Sequence, residues 1–284
     1  MEALSAEEIL RAVRLALSED VGNGDITTLA TVPEAATARA AMITREPVVV
    51  GGVPVAEAVF RELSPTIQIE RGAQDGDRVT AGQALLRISG SARALLAGER
   101  TALNFVQRLS GIATLTSQFV DAVKGTRAKI LDTRKTTPGL RLLEKYAVRC
   151  GGGHNHRIGL FDHVLIKDNH LAALRDEPPN AVAAAVQRAR ERFPEHKIEV
   201  EADTLEQVEQ ALAAGADIIL LDNMNLVQLR VAVQQARGKA ETEASGGVNL
   251  ANVRQIADTG VDYISVGAIT HSARAVDLAL DLEL

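Results

Sequence analysis

The chain has 284 residues, is 46% hydrophobic and carries a net charge of −6, with five Phe, two Tyr and no Trp. That length and apolar content supply one large core, or a core with a smaller partner unit, while the acidic balance and scarce aromatics exclude the basic field and stacking platforms that bind polynucleotides. The single cysteine, Cys150, excludes an internal disulfide. No basic-then-apolar leader and no membrane-length apolar run is present, so a cytoplasmic protein with no nucleic-acid or membrane partner is expected.

The stretch SAEEILRAVRLALSED opens with Ser5 and Glu8 in capping-box spacing and continues at helical periodicity, which predicts an N-terminal helix. ARAAMITREPVVVGG and IQIERGAQDGDRVTAGQALLRISGS are β-branched runs broken by Gly and Pro, the pattern of short strands and hairpins. DGDRVTAGQALLRI resembles a lipoyl or biotinyl carrier segment, but no lysine stands at a suitable hairpin turn, and its Asp and Gly read as turn chemistry.

From about residue 127 apolar strands alternate with amphipathic helices. Strands are predicted at 128–132, 163–167, 197–201, 217–222, 241–245 and 262–267, with Thr204 and Asn249 as N-caps of two of the helices. Such repetition argues for parallel βα units, and the short, even units without a dinucleotide fingerprint favour a barrel over an open sheet. The strand ends carry Asp132, Lys167, Glu201, Asp222, Ser245 and Gly267. In a parallel barrel those ends share one face, where active sites are built.

Charge concentrates in the same region. Residues 127–170 hold nine Lys and Arg against four Asp and Glu, and four of the six histidines, a distribution suited to a small anionic ligand. Arg141, Lys145 and Arg149 read as a solvated helix face. The Ser245, Gly246, Gly247 turn after a late strand offers backbone N–H groups at a helix start. Glu201 and Asp222 are hard oxygen donors suited to Mg²⁺ accompanied by substrate phosphates. His154 and His156 lack a Cys pair or third clustered His to complete a zinc site. Lys167 at a strand end also leaves open the Schiff-base lysine of an aldolase.

EDVGNGDITT, ERTALNFVQRLSGIAT, the block at 132–170 beginning DTRKTTPGLRLLEKY, EVEADTLEQ, IILLDNM, EASGGVN and VDYISVGAITHS closely resemble the quinolinate phosphoribosyltransferase family. The resemblance implies conversion of phosphoribosyl pyrophosphate and quinolinate into nicotinate mononucleotide, pyrophosphate and CO2 with Mg²⁺, in NAD biosynthesis. It implies an N-terminal α/β sandwich over 1–108, joined by a C-terminal helix at 271–284, and an incomplete α/β, TIM-like barrel over 109–270. It further implies a homodimer or higher homo-oligomer in which Arg100 enters the partner's site. Arg134, His156, Arg157 and Lys167 would hold the quinolinate carboxylates, with Thr133 also in contact with substrate. Lys135, Glu201 and Asp222 would be catalytic, the last two also attending the metal. Ser245, Gly246, Gly247, Val266, Gly267 and Ala268 would hold phosphate, with His271 a further site position. Thr242 departs from the family's usual apolar residue in the fifth strand, and His154 falls where the family varies.

The chemistry of the residues agrees. Two adjacent carboxylates call for bidentate guanidinium forks and several cations to offset desolvation, and Gly151 to Gly153 would let the chain turn so that His156 and Arg157 face the acid. A monocarboxylate such as nicotinate would not need Arg134, His156, Arg157 and Lys167 together. A non-catalytic phosphate sensor would not need Glu201 and Asp222.

Overall fold

The computed structural model describes residues 4–283 and comprises two compact units. The first is Met1–Ser117, Thr136–Gly152 and Ile269–Leu284; the second is Gln118–Lys135 and Gly153–Ala268. Residues 1–3 and Leu284, the outer ends of the expected N-terminal assembly, lie outside the described residues.

In the first unit the helix Ala6–Asp20 begins with the capping box read from the sequence. Ser5 Oγ accepts from the Glu8 N–H and Glu8 Oε2 accepts from the Ser5 N–H, both at 3.2 Å. A four-stranded antiparallel sheet runs in the order Leu278–Glu283, Thr37–Thr44, Ala84–Ser91, Gln68–Arg71. Along Thr37–Thr44 the buried residues Ala38, Ala40, Met42 and Thr44 recur at every second position, so one face of the sheet is sealed and the other is left outward.

The chain end differs from expectation. The four-residue helix Ala268–His271 gives way to the strand Leu278–Glu283, which pairs with Thr37–Thr44 from Thr44 opposite Leu278 to Arg39 opposite Glu283. Leu278 and Leu280 are buried while Asp281 is exposed. The short apolar run fits a strand as readily as a helix, and the unpaired edge of the sheet decides it.

Lys145 also differs. In the helix Arg141–Cys150 it is 2% exposed rather than solvated, and Arg149 lies over the Tyr146 ring at 5.8 Å. At the end of this helix a Cβ on Gly151 would stand 2.4 Å from the Ala113 carbonyl oxygen, and Gly152 adopts φ +85°. The first glycine permits close packing on the helix Ala92–Ala122 and the second reverses the chain.

All six strands expected in the second unit are present, and they are parallel. Their order is Lys129–Leu131, Tyr263–Ser265, Glu241–Ser245, Ile218–Asp222, Ile198–Ala202, Val164–Ile166. An isolated parallel bridge between Leu131 and His154 extends the first edge, and among the described residues no ladder joins the two edges. This is the incomplete α/β barrel anticipated.

Register explains the alternation in these strands. Glu199 pairs with Ile218, Glu201 and Glu243 with Leu220, Ser245 with Asp222, and Tyr263 with both Glu243 and Lys129, so all of these side chains share one face. The intervening Ile130, Ile198, Val200, Ile219, Leu221, Ala244 and Ile264 are buried on the other; each Ile or Leu so buried contributes about 1.5–3 kcal/mol. Thr242 belongs to this buried face at 2% exposure, and its hydroxyl and N–H both meet Asp262 Oδ2 at 2.9 Å, which offsets its burial. The helix Leu205–Ala213 starts at the Thr204 cap as expected. The helix after the fifth strand does not start at Asn249: it is the five-residue Val253–Ala257, capped at Asn252. No helix is long and apolar enough to cross a membrane among the described residues.

Candidate active site

The polar face of the barrel sheet brings Glu199, Glu201, Asp222, Glu243 and Ser245 together. Asp132, at the end of the first strand, is fully buried and does not face a ligand. Its Oδ1 accepts the His156 N–H at 2.9 Å and its Oδ2 accepts Asn155 Nδ2 at 2.6 Å. This buried carboxylate holds the loop that carries His156 and Arg157 after the chain reversal at Gly152.

His156 turns its ring into the barrel. Nε2 lies 3.1 Å from Glu199 Oε2 and 3.6 Å from Glu243 Oε2, and Nδ1 accepts the Arg157 N–H at 2.7 Å. Both ring nitrogens thus have partners within the protein. Burial disfavours charge on this ring, but the two glutamates outweigh it and raise its proton affinity. Arg157, half-buried, donates from Nη1 to the His163 carbonyl at 3.3 Å. Burial, and next the charge of nearby Arg134, lower its proton affinity. The Arg134 charge is thus felt at Arg157. His156, Arg157, His163, Glu199 and Glu243 line a cavity of about 270 Å³.

The two buried glutamates differ in charge. Burial pushes both upward; Glu199 is nevertheless held well below the usual carboxylate range by the hydrogen bonds and charges of His156 and His163. Glu243, buried and beside the Glu199 charge, is pushed up to about 8. His156, Glu199 and Glu243 place ligand atoms within 4.8 Å of one another. With the Arg157 N–H directed at Nδ1, however, the proton of a neutral ring sits on Nε2, where a metal would need a lone pair.

Toward the strand ends, Lys167 pairs with Glu201. Paired with a carboxylate and 44% exposed, Lys167 lacks the apolar or cationic surroundings of a Schiff-base lysine. Asp222 Oδ2 accepts Asn223 Nδ2 at 2.7 Å, and the Asn223 N–H donates to the Ser245 carbonyl at 3.0 Å. Gly246 has φ +93°, and a Cβ there would stand 2.1 Å from Asn223 Oδ1. Asn249 and Asn252 tie down the Gly247 carbonyl at 3.2 and 3.0 Å. Because the following helix begins only at Val253, the Ser245 to Gly247 turn does not sit on a helix N-terminus. Val266 is 1% exposed with its N–H donated to the Leu131 carbonyl, so it has no donor left for phosphate; Gly267 and Ala268 are half-buried beside it. Thr133 Oγ1 accepts the Lys135 N–H at 3.0 Å, and Lys135 itself is exposed. Arg100 and His271 are exposed residues of the first unit; His271 Nδ1 contacts Ser272 Oγ at 2.6 Å.

Family models divide the chain almost completely. Residues 25–110 match the N-terminal domain of quinolinate phosphoribosyl transferase and residues 112–281 its C-terminal domain. The chain belongs to the quinolinate phosphoribosyltransferase family. It is 50% identical over 276 residues to the nicotinate-nucleotide pyrophosphorylase [carboxylating] of Mycobacterium leprae, covering 95% of each chain. It is 42% identical to a probable enzyme of the same name from Bacillus subtilis, over 94% of this chain and 90% of that one. The solved nicotinate-nucleotide pyrophosphorylase of Francisella tularensis superposes with a TM-score of 0.92 at 43% identity, covering 99% of this chain and 98% of that one.

Within this family member, Glu199, Glu243 and His163 were not selected from sequence. Their signal was present: IEVEA and ETEAS place acids two apart along strands otherwise buried, which puts each inner glutamate on the same face as the strand-end residue.

Proposed function

We propose that the chain transfers the phosphoribosyl group of phosphoribosyl pyrophosphate to quinolinate and releases CO2, giving nicotinate mononucleotide and pyrophosphate in NAD biosynthesis. The observation that carries the reading is the half-buried Arg157, which lines the cavity on the polar face of the barrel sheet and feels the charge of Arg134. A dicarboxylate bound beside them would supply one charge for each guanidinium. Family membership supports the same substrate.

The quinolinate nitrogen attacks the anomeric carbon as its bond to the pyrophosphate oxygen breaks. Positive charge develops on the ribose, and Glu201 and Asp222, carboxylates on one face of neighbouring strands, lie where they can offset it. Lys135, exposed after the first strand, would meet the leaving pyrophosphate. The bond from C2 to its carboxylate then breaks, its electron pair stays at C2 beside the cationic ring nitrogen, and a proton from water completes nicotinate mononucleotide. No protein nucleophile is needed.

Glu201 and Asp222 also fit Mg²⁺ by donor type: two carboxylates at adjacent strand ends suit an ion that completes its shell with water and substrate phosphate. Bound there, Mg²⁺ would neutralise the pyrophosphate. The reading includes a cytoplasmic homodimer in which Arg100 enters the partner's site.

The test is turnover of quinolinate and phosphoribosyl pyrophosphate with Mg²⁺, following pyrophosphate and CO2 together. Equal release of both supports the reading. Pyrophosphate release with nicotinate but not quinolinate would assign the protein to a monocarboxylic acid, and release of neither product would make it a binding protein.

A further inference from the structure

Arg157 is held at both ends, and both holds lead back to one oxygen atom. Its backbone N–H donates to His156 Nδ1 at 2.7 Å, and its guanidinium donates to the His163 carbonyl at 3.3 Å. The rings of these two histidines, 5.7 Å apart between centroids, converge on Glu199 Oε2, with Nε2 distances of 3.1 Å for His156 and 3.2 Å for His163. Glu199 is fully buried. Glu243 does not duplicate this arrangement: it lies 3.6 Å from His156 Nε2 and also hydrogen-bonds the Ser265 side chain.

An ionised carboxylate buried beneath a pocket for an anionic acid works against binding unless it organises the cations that bind the acid. We propose that Glu199 is a positioning residue for the acid substrate, fixing the two histidines and through them the backbone and guanidinium of Arg157. Glu199 does not touch substrate itself. The inference rests on the function proposed above.

Glu199→Gln keeps the size of the side chain, removes the charge and replaces one acceptor oxygen with a donor. The quinolinate KM should rise by about 10- to 100-fold, the scale of a misplacement near 1 Å in a binding group, while the KM for phosphoribosyl pyrophosphate changes less than about twofold. In an Arg157→Ala background the same substitution should add nothing further, because the group it positions is gone. A role in folding alone would instead raise both KM values together and add to the Arg157→Ala defect, and either result overturns the proposal, as does a wild-type quinolinate KM.

His163→Asn serves as a second variant should Glu199→Gln fold poorly. It breaks one of the two arms and should shift the quinolinate KM in the same direction, by less. Amide hydrogen exchange of residues 155–163 without substrate gives a readout independent of the reaction. Faster exchange at Arg157 in Glu199→Gln than in wild type supports the proposal, and equal exchange refutes it. Should wild type turn over no quinolinate, the functional reading fails while the exchange measurement still decides the role of Glu199.

Discussion

Lys167 and Glu201 stand at the ends of the paired strands Val164–Ile166 and Ile198–Ala202 and form an ion pair there. One belongs to the cations assigned to quinolinate, the other to the carboxylates assigned to the ribose and metal. On the proposed function the pair would join the portions of the site that take the two substrates.

Two substitutions separate these roles. Lys167→Ala should raise the quinolinate KM, whereas Glu201→Gln should lower kcat and raise the Mg²⁺ concentration needed for half-maximal rate. Neither should cost much stability, because Lys167 is 44% exposed and such pairs are worth about 0–1 kcal/mol. Thermal melts of both variants close to wild type, with kinetic defects of different kinds, are the expected outcome. A shared loss of several kcal/mol would show that the pair holds the fold instead.

Arg157→Ala should weaken quinolinate binding by about 2–5 kcal/mol, the cost of deleting one partner of a desolvated charge pair. Binding of phosphoribosyl pyrophosphate should be nearly unchanged. Calorimetric titration with each substrate checks this, and equal loss of both would end the division of labour between the basic loop and the strand-end carboxylates.

The barrel strands were legible because short, mostly apolar runs alternate with amphipathic helices, two of them capped by Thr204 and Asn225, and end in polar residues. Asp132 misled because a strand-end acid can be spent on the loop that follows, here on the His156 N–H and Asn155. Glu199 and Glu243 escaped notice for the complementary reason: mid-strand acids look like errors in a core until register shows which way they point. The strand Leu278–Glu283 depends on an edge supplied by Thr37–Thr44, more than two hundred positions earlier, and no local pattern contains that information.

Glu243 makes stability fall as pH rises. Its pKa in the folded chain is about 8, raised by burial and then by Glu199 from an ordinary 4.5. Between those values the folded protein binds more protons than the unfolded chain, so the neutral acid's contribution, fully present below pH 4.5, is lost up to about pH 8. His156, its proton affinity also raised, acts in the same direction above its ordinary value of 6.5. Glu199, shifted downward, contributes in the opposite sense only as pH falls below the usual carboxylate range. Glu243→Gln removes the titration while keeping a neutral side chain of the same size. Its unfolding free energy relative to wild type, measured by denaturant titration, should therefore climb between pH 5 and pH 8, with a slope of at most about 1.4 kcal/mol per pH unit. A constant difference across that range would mean that Glu243 is ionised throughout.

Gly246→Ala tests the phosphate end of the site. The added Cβ would stand 2.1 Å from Asn223 Oδ1 and 3.0 Å from its backbone nitrogen, at a φ of +93° that alanine rarely adopts. The Asn223 side chain can swing away, but doing so removes its Nδ2 from Asp222. Strain at the turn of about 1–3 kcal/mol should appear chiefly as a raised KM for phosphoribosyl pyrophosphate together with a lower kcat, because the turn and Asp222 are disturbed together. Quinolinate affinity should remain near wild type, since Arg157 is anchored through Asp132, His156 and His163 without any contribution from this turn. Steady-state kinetics with each substrate varied in turn measures the split, and an unchanged KM for phosphoribosyl pyrophosphate would remove Ser245 to Gly247 from the phosphate site.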